Sequence, residues 1–376
     1  MSEKSKNYEE IEPVWSRYMH AKASALGIPL SGTFELTTRC NFDCKMCYVH
    51  DNSRPDALTA QEWLQMAEEA RNRGMLLVLL SGGEPLIRKD FKEIYAGMKQ
   101  MGLLMQINTN AALMDDDMID FLSKDPPLRI NVTLYGGSDD TYRRLCGRPA
   151  FGKVVENLRK MKDAGLQVRV NASITPYNAE DVEEIFRICF DMDLAVKSTA
   201  YMFPPVRNNG EQFGDSTHRF SPEEAAAYQL KCREQYLGPE QLAAYCYGEM
   251  PMDLMDDCVD GQGEHVTCRA GSSAFWVTWD GRMLPCGMFS NEGYSIREMG
   301  FAKAWESVRE FRNALRMPAA CTDCPEKKRC TVCAASAFCE TGDLTKRPSY
   351  ICRMTHELHR LTADKYLQKE INHEDQ

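Results

Sequence analysis

The sequence predicts an α/β protein: a partial, TIM-like (β/α)6 barrel followed by a cysteine-rich C-terminal domain. Three observations predict it. From residue 33 to about residue 200, six strand-like runs alternate with helical segments. Three cysteines crowd into residues 40–47, directly after the first run. Eight of the sixteen cysteines lie beyond residue 265, where the alternation has ended.

The strand-like runs are "TFELT" (33–37), "MLLVLLS" (75–81), "LLMQINTN" (103–110), "LRINVTLY" (128–135), "QVRVNASI" (167–174) and "AVKSTAY" (195–201). Helices between them carry recognisable punctuation. Thr59 with Glu62 three residues on forms a capping box, and Gly165 closes the helix before the fifth strand. Repeated β/α units imply a parallel sheet whose active residues gather at the strands' C-terminal ends. The first cysteine group and "SGGEP" (81–85) both fall at such ends.

This gives four segments: a helical extension over 1–30, the barrel over 31–205, a bridging segment over 206–265, and a cysteine-rich unit with a C-terminal helix over 266–376. In the bridge, "FPPVRNNGEQFGD" reads as a loop and "SPEEAAAYQLKCREQYL" as a helix capped by Ser221. In the last unit, "AFWVTWDGRMLPCG" reads as a hairpin turning at Asp280–Gly281. The terminal "KEINHEDQ" reads as a frayed helix end.

Composition excludes several classes. The longest apolar run, "MLLVLL" at 75–80, is too short to cross a bilayer, and the charged start "MSEKSKNYEE" has no apolar segment behind it. The reading is a cytoplasmic protein of a reducing or anaerobic environment. The net charge of −10 comes without a long basic run, "EKKRC" (326–330) being about the densest, which argues against nucleic acid as a partner. Sixteen thiols in such a chain point to metal ligation rather than to disulfides.

Cys40, Cys44 and Cys47 have the spacing C-x3-C-x2-C. Four thiols close a zinc site or fill a cubane cluster, whereas three leave one corner open. A zinc knuckle completed by a remote ligand such as His50 is the plainer alternative. Together with Gly82–Gly83–Glu84–Pro85 after the next strand and the run of β/α units, these residues resemble the radical S-adenosylmethionine (radical SAM) superfamily over about residues 30–200. Its C-x3-C-x-hydrophobic-C motif matches Cys40, Cys44, Met46 and Cys47.

The resemblance implies a [4Fe–4S] cluster on the three thiols, with SAM chelating the open iron. It implies that Gly82, Gly83 and Glu84 contact the methionyl amino group, that Met46 lies near adenine, and that Asn108 and Asn110 stand where the family contacts the ribose. Arg144 and Arg148 are both candidates for the SAM carboxylate, and Tyr135 replaces an aspartate found in many relatives and is the candidate residue near the radical.

The C-terminal cysteines resemble the SPASM domain, which carries two auxiliary [4Fe–4S] clusters in radical SAM maturases of peptides and proteins; a pair of zinc ribbons is the alternative. The pattern assigns Cys321, Cys324, Cys330 and Cys352 to one cluster and Cys268, Cys286 and Cys333 to the other, with Cys258 or an open iron as its fourth site. The spacing is irregular at the end, C-x2-C where the family has C-x3-C, so that Cys339 competes with Cys333. Cys146, Cys189, Cys232 and Cys246 read as buried structural thiols.

In sulfatase maturases of this family an aspartate base directly follows the cysteine matching Cys286; here that residue is Gly287. The expectation is therefore an oxidoreductase that cleaves SAM to a 5′-deoxyadenosyl radical and crosslinks a ribosomally made peptide through a thioether or carbon–carbon bond. Formylglycine formation, oxidation of a small metabolite and a zinc-stabilised binding scaffold are the alternatives. Implied partners are a peptide or protein substrate and a flavodoxin- or ferredoxin-type electron donor; because the first 30 residues are too few for a leader-binding unit, the peptide either binds the catalytic domain directly or is brought by a separate peptide-delivery protein.

Overall fold

The computed structural model of the chain describes residues 14–209, 214, 218–248, 268–289 and 293–367. Cys258, most of the acidic stretch before Cys268, and the "KEINHEDQ" terminus lie outside the described residues. After helix α1 (Val14–Leu26), six strands follow: β1 (Ser31–Glu35), β2 (Leu77–Ser81), β3 (Leu104–Thr109), β4 (Arg129–Thr133), β5 (Val168–Ser173) and β6 (Ala195–Thr199). Each lies inside the run the sequence assigns to it or within two residues of it. All pair in parallel with their sequence neighbours.

The connecting helices are α2 (Ala60–Asn72), α3 (Phe91–Gln100), α4 (Asp116–Lys124), α5 (Asp139–Cys146), α6 (Phe151–Asp163) and α7 (Val182–Asp191). Alternation along the strands sorts the two faces of the sheet. Phe34, Leu80, Met105, Ile107, Ile130, Val132, Val170 and Val196 are buried within the main apolar core. The intervening positions Thr33, Gln106, Asn108, Asn131, Arg169, Asn171 and Lys197 give the other face polar groups, and Asn131 donates to Asn108 Oδ1 at 2.9 Å. A polar inner face serves a ligand better than it serves a packed core.

The local punctuation acts as expected. The Thr59 side chain accepts from the Glu62 N–H, and Glu62 reaches back to the Thr59 N–H at 2.8 Å. Ser221 and Glu224 repeat this at α9 (Pro222–Arg233). Gly165 takes φ +77, a left-handed value that glycine adopts without a Cβ penalty.

Two features depart from the sequence reading. The stretch assigned to a loop contains the short helix α8 (Val206–Asn209), and α10 (Pro239–Cys246) follows α9 in the bridge. The hairpin, β7 (Ala274–Val277) and β8 (Arg282–Leu284), is not confined to the cysteine-rich unit. β7 pairs in parallel with β1 from Ser31↔Ala274 to Phe34↔Val277, and β9 (Tyr294–Ser295) joins β8. The described strands thus form one sheet in the order β6-β5-β4-β3-β2-β1-β7-β8-β9, with β6 at an edge. Burial drives the pairing: Phe275 packs among Phe34, Phe301 and Trp305, the last two on α11 (Ile296–Ala314).

Helices α12 (Ala319–Thr322), α13 (Ala334–Thr341) and α14 (Ser349–Tyr366) complete the chain. Arg353 and Lys365 of α14 pair with Glu223 and Glu234, at either end of α9. The buried Arg219–Glu340 pair, 2.6 Å, joins the segment before α9 to α13, and Tyr201 OH donates to the same carboxylate at 2.9 Å.

Candidate active site

The loop after β1 carries Cys40, Cys44 and Cys47, and the loop after β2 carries Gly82–Glu84. Backbone bonds fuse them: Gly83 N–H donates to Thr37 O at 2.8 Å and Glu84 N–H to Arg39 O at 2.9 Å. This explains the glycine pair. A Cβ on Gly82 would lie 2.6 Å from Thr37 O, and one on Gly83 would lie 2.4 Å from Arg39 O. The close approach that requires glycine is that of the cysteine loop's own backbone.

Glu84 is fully buried, and its carboxylate accepts from Leu86 N–H, Thr109 OH and Asn110 N–H at 3.1, 2.9 and 2.7 Å. Burial raises it to about 7 against those three donors. Its side chain therefore braces the end of β3. Asn110, carried on that end, points its amide at Asn41 Oδ1 (2.8 Å) and toward Cys40 Sγ (3.7 Å). Asn108 reaches Ser81 Oγ at 3.5 Å.

The three thiols lie within electrostatic reach of one another. Burial, with a smaller contribution from the neighbouring thiols, pushes Cys40 up to about 12 and Cys47 to about 11. Backbone N–H groups of Phe42 and His50 point at the sulfurs of Cys40 and Cys47, at 3.4 and 3.3 Å. Thiols raised in this way favour the thiolate when a cationic centre offsets its charge. Among the described residues, no group of three or more His, Cys, Asp or Glu side chains converges as the ligands of a single metal ion would.

Cys146, read as a structural thiol, lies against Cys44, and their shared hydrogen bond is the main influence raising the Cys44 thiol. Tyr135 also hydrogen-bonds Cys44, with its ring edge-on to Phe42 and Tyr142 at 6.1 and 5.9 Å. Met46 packs against the core. Arg144 and Arg148 are exposed; Arg144 donates to Thr141 Oγ1 and Tyr177 O, both at 3.3 Å.

The C-terminal cysteines form two groups. Cys321 is raised to about 11 by burial, with contributions from Cys352, Cys330 and Cys324. Arg347 Nε donates to Cys352 Sγ at 2.9 Å. In the second group Cys286 is raised to about 12 by burial and then by Cys333 and Cys268. All three of these line one cavity of about 470 Å³ between β6, α9, α14 and the cysteine-bearing loops. Cys339 does not line it: its thiol is buried on α13 and donates to Met288 O at 3.3 Å. Cys333 caps α13, its sulfur accepting from Ser336 N–H at 3.3 Å.

A buried ion pair that sequence reading missed lies between the first cysteine loop and the Cys286 loop. Arg207 on α8 holds Glu35, at the end of β1, through two nitrogens at 2.7 and 2.9 Å, and also donates to Gly287 O at 3.1 Å. Trp276 Nε1 adds a bond to Glu35 at 3.0 Å, and Tyr48 packs its ring on both Trp276 and Arg207. The one signal was an acid set between Phe34 and Leu36 at the end of the first strand.

These features agree with family comparison. The model described as the radical SAM superfamily matches residues 34–189, and that of the SPASM iron–sulfur cluster-binding domain matches residues 268–333. The chain thus carries a radical SAM domain followed by a C-terminal SPASM domain, with the SAM and iron–sulfur clusters these domains imply. The AdoMet-dependent heme synthase of Methanosarcina barkeri is 26% identical over 84% of this chain and 94% of its own. Streptococcus suis SuiB bound to S-adenosylmethionine superposes with TM-score 0.65 at 18% identity, over 90% of this chain and 81% of its own. The enzyme anSMEcpe with bound AdoMet gives TM-score 0.69 at 17% identity, over 92% of this chain and all of its own. Among the described residues, no helix is long and apolar enough to cross a membrane.

Proposed function

We propose that this radical SAM enzyme removes hydrogen from an organic substrate and passes the remaining electron to a SPASM cluster, and that the substrate is a ribosomally made peptide crosslinked through a thioether or carbon–carbon bond. The observation that carries the reading is that Cys268, Cys286 and Cys333 line a cavity reaching the barrel's edge strand β6, so that an electron acceptor would adjoin the catalytic domain. SuiB with its precursor peptide SuiA and anSMEcpe with the Cp18Cys peptide are the fold relatives that support a peptide.

In this reading Cys40, Cys44 and Cys47 hold the catalytic cluster, Cys321, Cys324, Cys330 and Cys352 hold one auxiliary cluster, and Cys268, Cys286 and Cys333 hold the other. Bound together, the reduced catalytic cluster and SAM supply the 5′-deoxyadenosyl radical that takes the substrate hydrogen. The protein's part is geometric and electrostatic. Gly82 and Gly83 seat the SAM-side loop against the cysteine loop, Glu84 positions Asn110, and N–H groups directed at sulfur stabilise the ligand thiolates. Met46, Asn108 and one of Arg144 and Arg148 complete the SAM site.

A second reading is favoured by the heme synthase relative, whose likeness spans nearly its full length: oxidation of a carboxylate-bearing tetrapyrrole. Anaerobic assays with SAM and dithionite separate the two. A cysteine-containing peptide encoded beside the gene should lose two hydrogens, about 2 Da, with one 5′-deoxyadenosine per bond. Turnover of an iron porphyrin propionate with the peptide untouched selects the second reading.

A further inference from the structure

The three thiols after β1 draw their hydrogen-bond donors from different sources. Cys40 and Cys47 accept from backbone N–H groups of their own loop, those of Phe42 and His50. Cys44 is met by two side chains from outside the loop, the Tyr135 hydroxyl and the Cys146 thiol. Both are held in place. Asp43 N–H donates to Cys146 O at 2.9 Å and Lys45 N–H to Leu145 O at 3.0 Å, so backbone bonds on either side of Cys44 fix it against the end of α5. Cys146 is fully buried there. Tyr135, two residues past β4, donates its N–H to Tyr142 OH at 3.3 Å and accepts at its carbonyl from Asn178 at 2.9 Å. Phe42 and Tyr142 hold its ring edge-on from two directions.

A ligand thiolate only accepts hydrogen bonds, so at Cys44 both neighbours must supply the hydrogen. The phenol is suited to this, because burial, and then the nearby thiols, hold it protonated well above its ordinary range. Packing does not account for the hydroxyl. Between the rings of Phe42 and Tyr142 a phenylalanine would fill nearly the same volume, and a phenol turned inward without an acceptor would be costly. Hydrogen bonds to a cluster's sulfurs favour its reduced, more negative state and so raise its potential.

We propose that Tyr135 and Cys146 are positioning residues of the catalytic site: each donates a hydrogen bond to the sulfur of Cys44 and raises the reduction potential of the cluster which that sulfur ligates. Tyr135 thus acts through a cluster ligand rather than on the substrate. The inference rests on the proposed assignment of the catalytic cluster to Cys40, Cys44 and Cys47 and deepens it, by naming the side chains that set how readily the cluster is reduced.

The test uses full-length protein reconstituted anaerobically with iron and sulfide. Reductive titration is followed by electron paramagnetic resonance, and the reduced-cluster signal that changes on brief addition of SAM marks the catalytic cluster among the three. At one applied potential the ratio of reduced to oxidised catalytic cluster in Tyr135→Phe, which loses only the hydroxyl, should fall about three- to tenfold, tenfold being about 59 mV for one electron. Cys146→Ala should lower the ratio roughly twofold, S–H being the weaker donor, and Cys146→Ser, which keeps a donor, should restore it. Iron analysis of each preparation confirms equal loading. If Tyr135→Phe does not load, 3-fluorotyrosine at position 135 takes its place; as a stronger donor of nearly the same shape it should raise the ratio. A wild-type ratio in either tyrosine variant overturns Tyr135 as a donor, and equal ratios in Cys146→Ala and Cys146→Ser overturn Cys146. A wild type without a SAM-responsive signal contradicts the cluster assignment itself, whereas a SAM-responsive signal with unmoved ratios contradicts this inference alone.

Discussion

The indole of Trp276 occupies the space that a side chain at Gly287 would need: a Cβ built on Gly287 would lie 2.8 Å from the ring. The same indole donates to Glu35, so it is not free to swing aside. The residue after Cys286 is thus glycine for a steric reason.

Gly287→Asp should therefore cost about 1–3 kcal/mol through overpacking and should not create formylglycine chemistry. Thermal unfolding and mass spectrometry of a Cys-x-Pro-x-Arg peptide check both parts. A variant as stable as the wild type, or one that converts the peptide, contradicts the account.

Arg207 and Glu35 are 10% and 0% exposed, so removing one partner leaves an uncompensated buried charge. Arg207→Met should cost about 3–5 kcal/mol, and the double variant with Glu35→Gln clearly less than the sum of the singles. Denaturant titrations of the four proteins give the coupling. Simple additivity would show that the pair does not act as a unit.

Cys333 faces the cavity and Cys339 faces Met288 O. Cys339→Ala should keep all the iron, while Cys333→Ala should lose that of the auxiliary cluster on Cys268, Cys286 and Cys333, about four atoms. Iron analysis decides it, and the reverse pattern would move the ligand to α13.

Much of this was legible because it is local. The six strands follow hydrophobic alternation, and Thr59–Glu62, Ser221–Glu224 and Gly165 act within a single turn of helix. What was not legible is long-range. Glu35 meets Arg207 and Trp276 across 172 and 241 residues, and β7 completes the sheet beside β1 from the far end of the chain. No local pattern marks such pairings. Cys146 beside Cys44 and Arg233 over the Tyr245 ring are likewise properties of packing. The glycine pair was legible as an element of the site, but its reason, contact with backbone 37–39, was not.

Glu84 yields a pH prediction. Its carboxyl is raised to about 7 from 4.5, so between those values the folded state holds a proton that the unfolded state has lost. Stability from this group is full below about 4.5, falls as pH rises through about 7, and is level above. The span amounts to about 3 kcal/mol. Glu84→Gln should flatten that part of the profile. Unfolding free energies of both proteins from pH 5 to 8 test it, and parallel profiles would contradict it.

The most direct test of the central claim replaces Cys40, Cys44 and Cys47 together by alanine and measures iron and 5′-deoxyadenosine on the same anaerobic preparation. Three cubanes correspond to about twelve irons per chain, and the variant should keep about eight, because the C-terminal thiols are separate groups. SAM cleavage with dithionite should disappear. Unchanged iron content, or continued 5′-deoxyadenosine formation by the variant, would contradict the account.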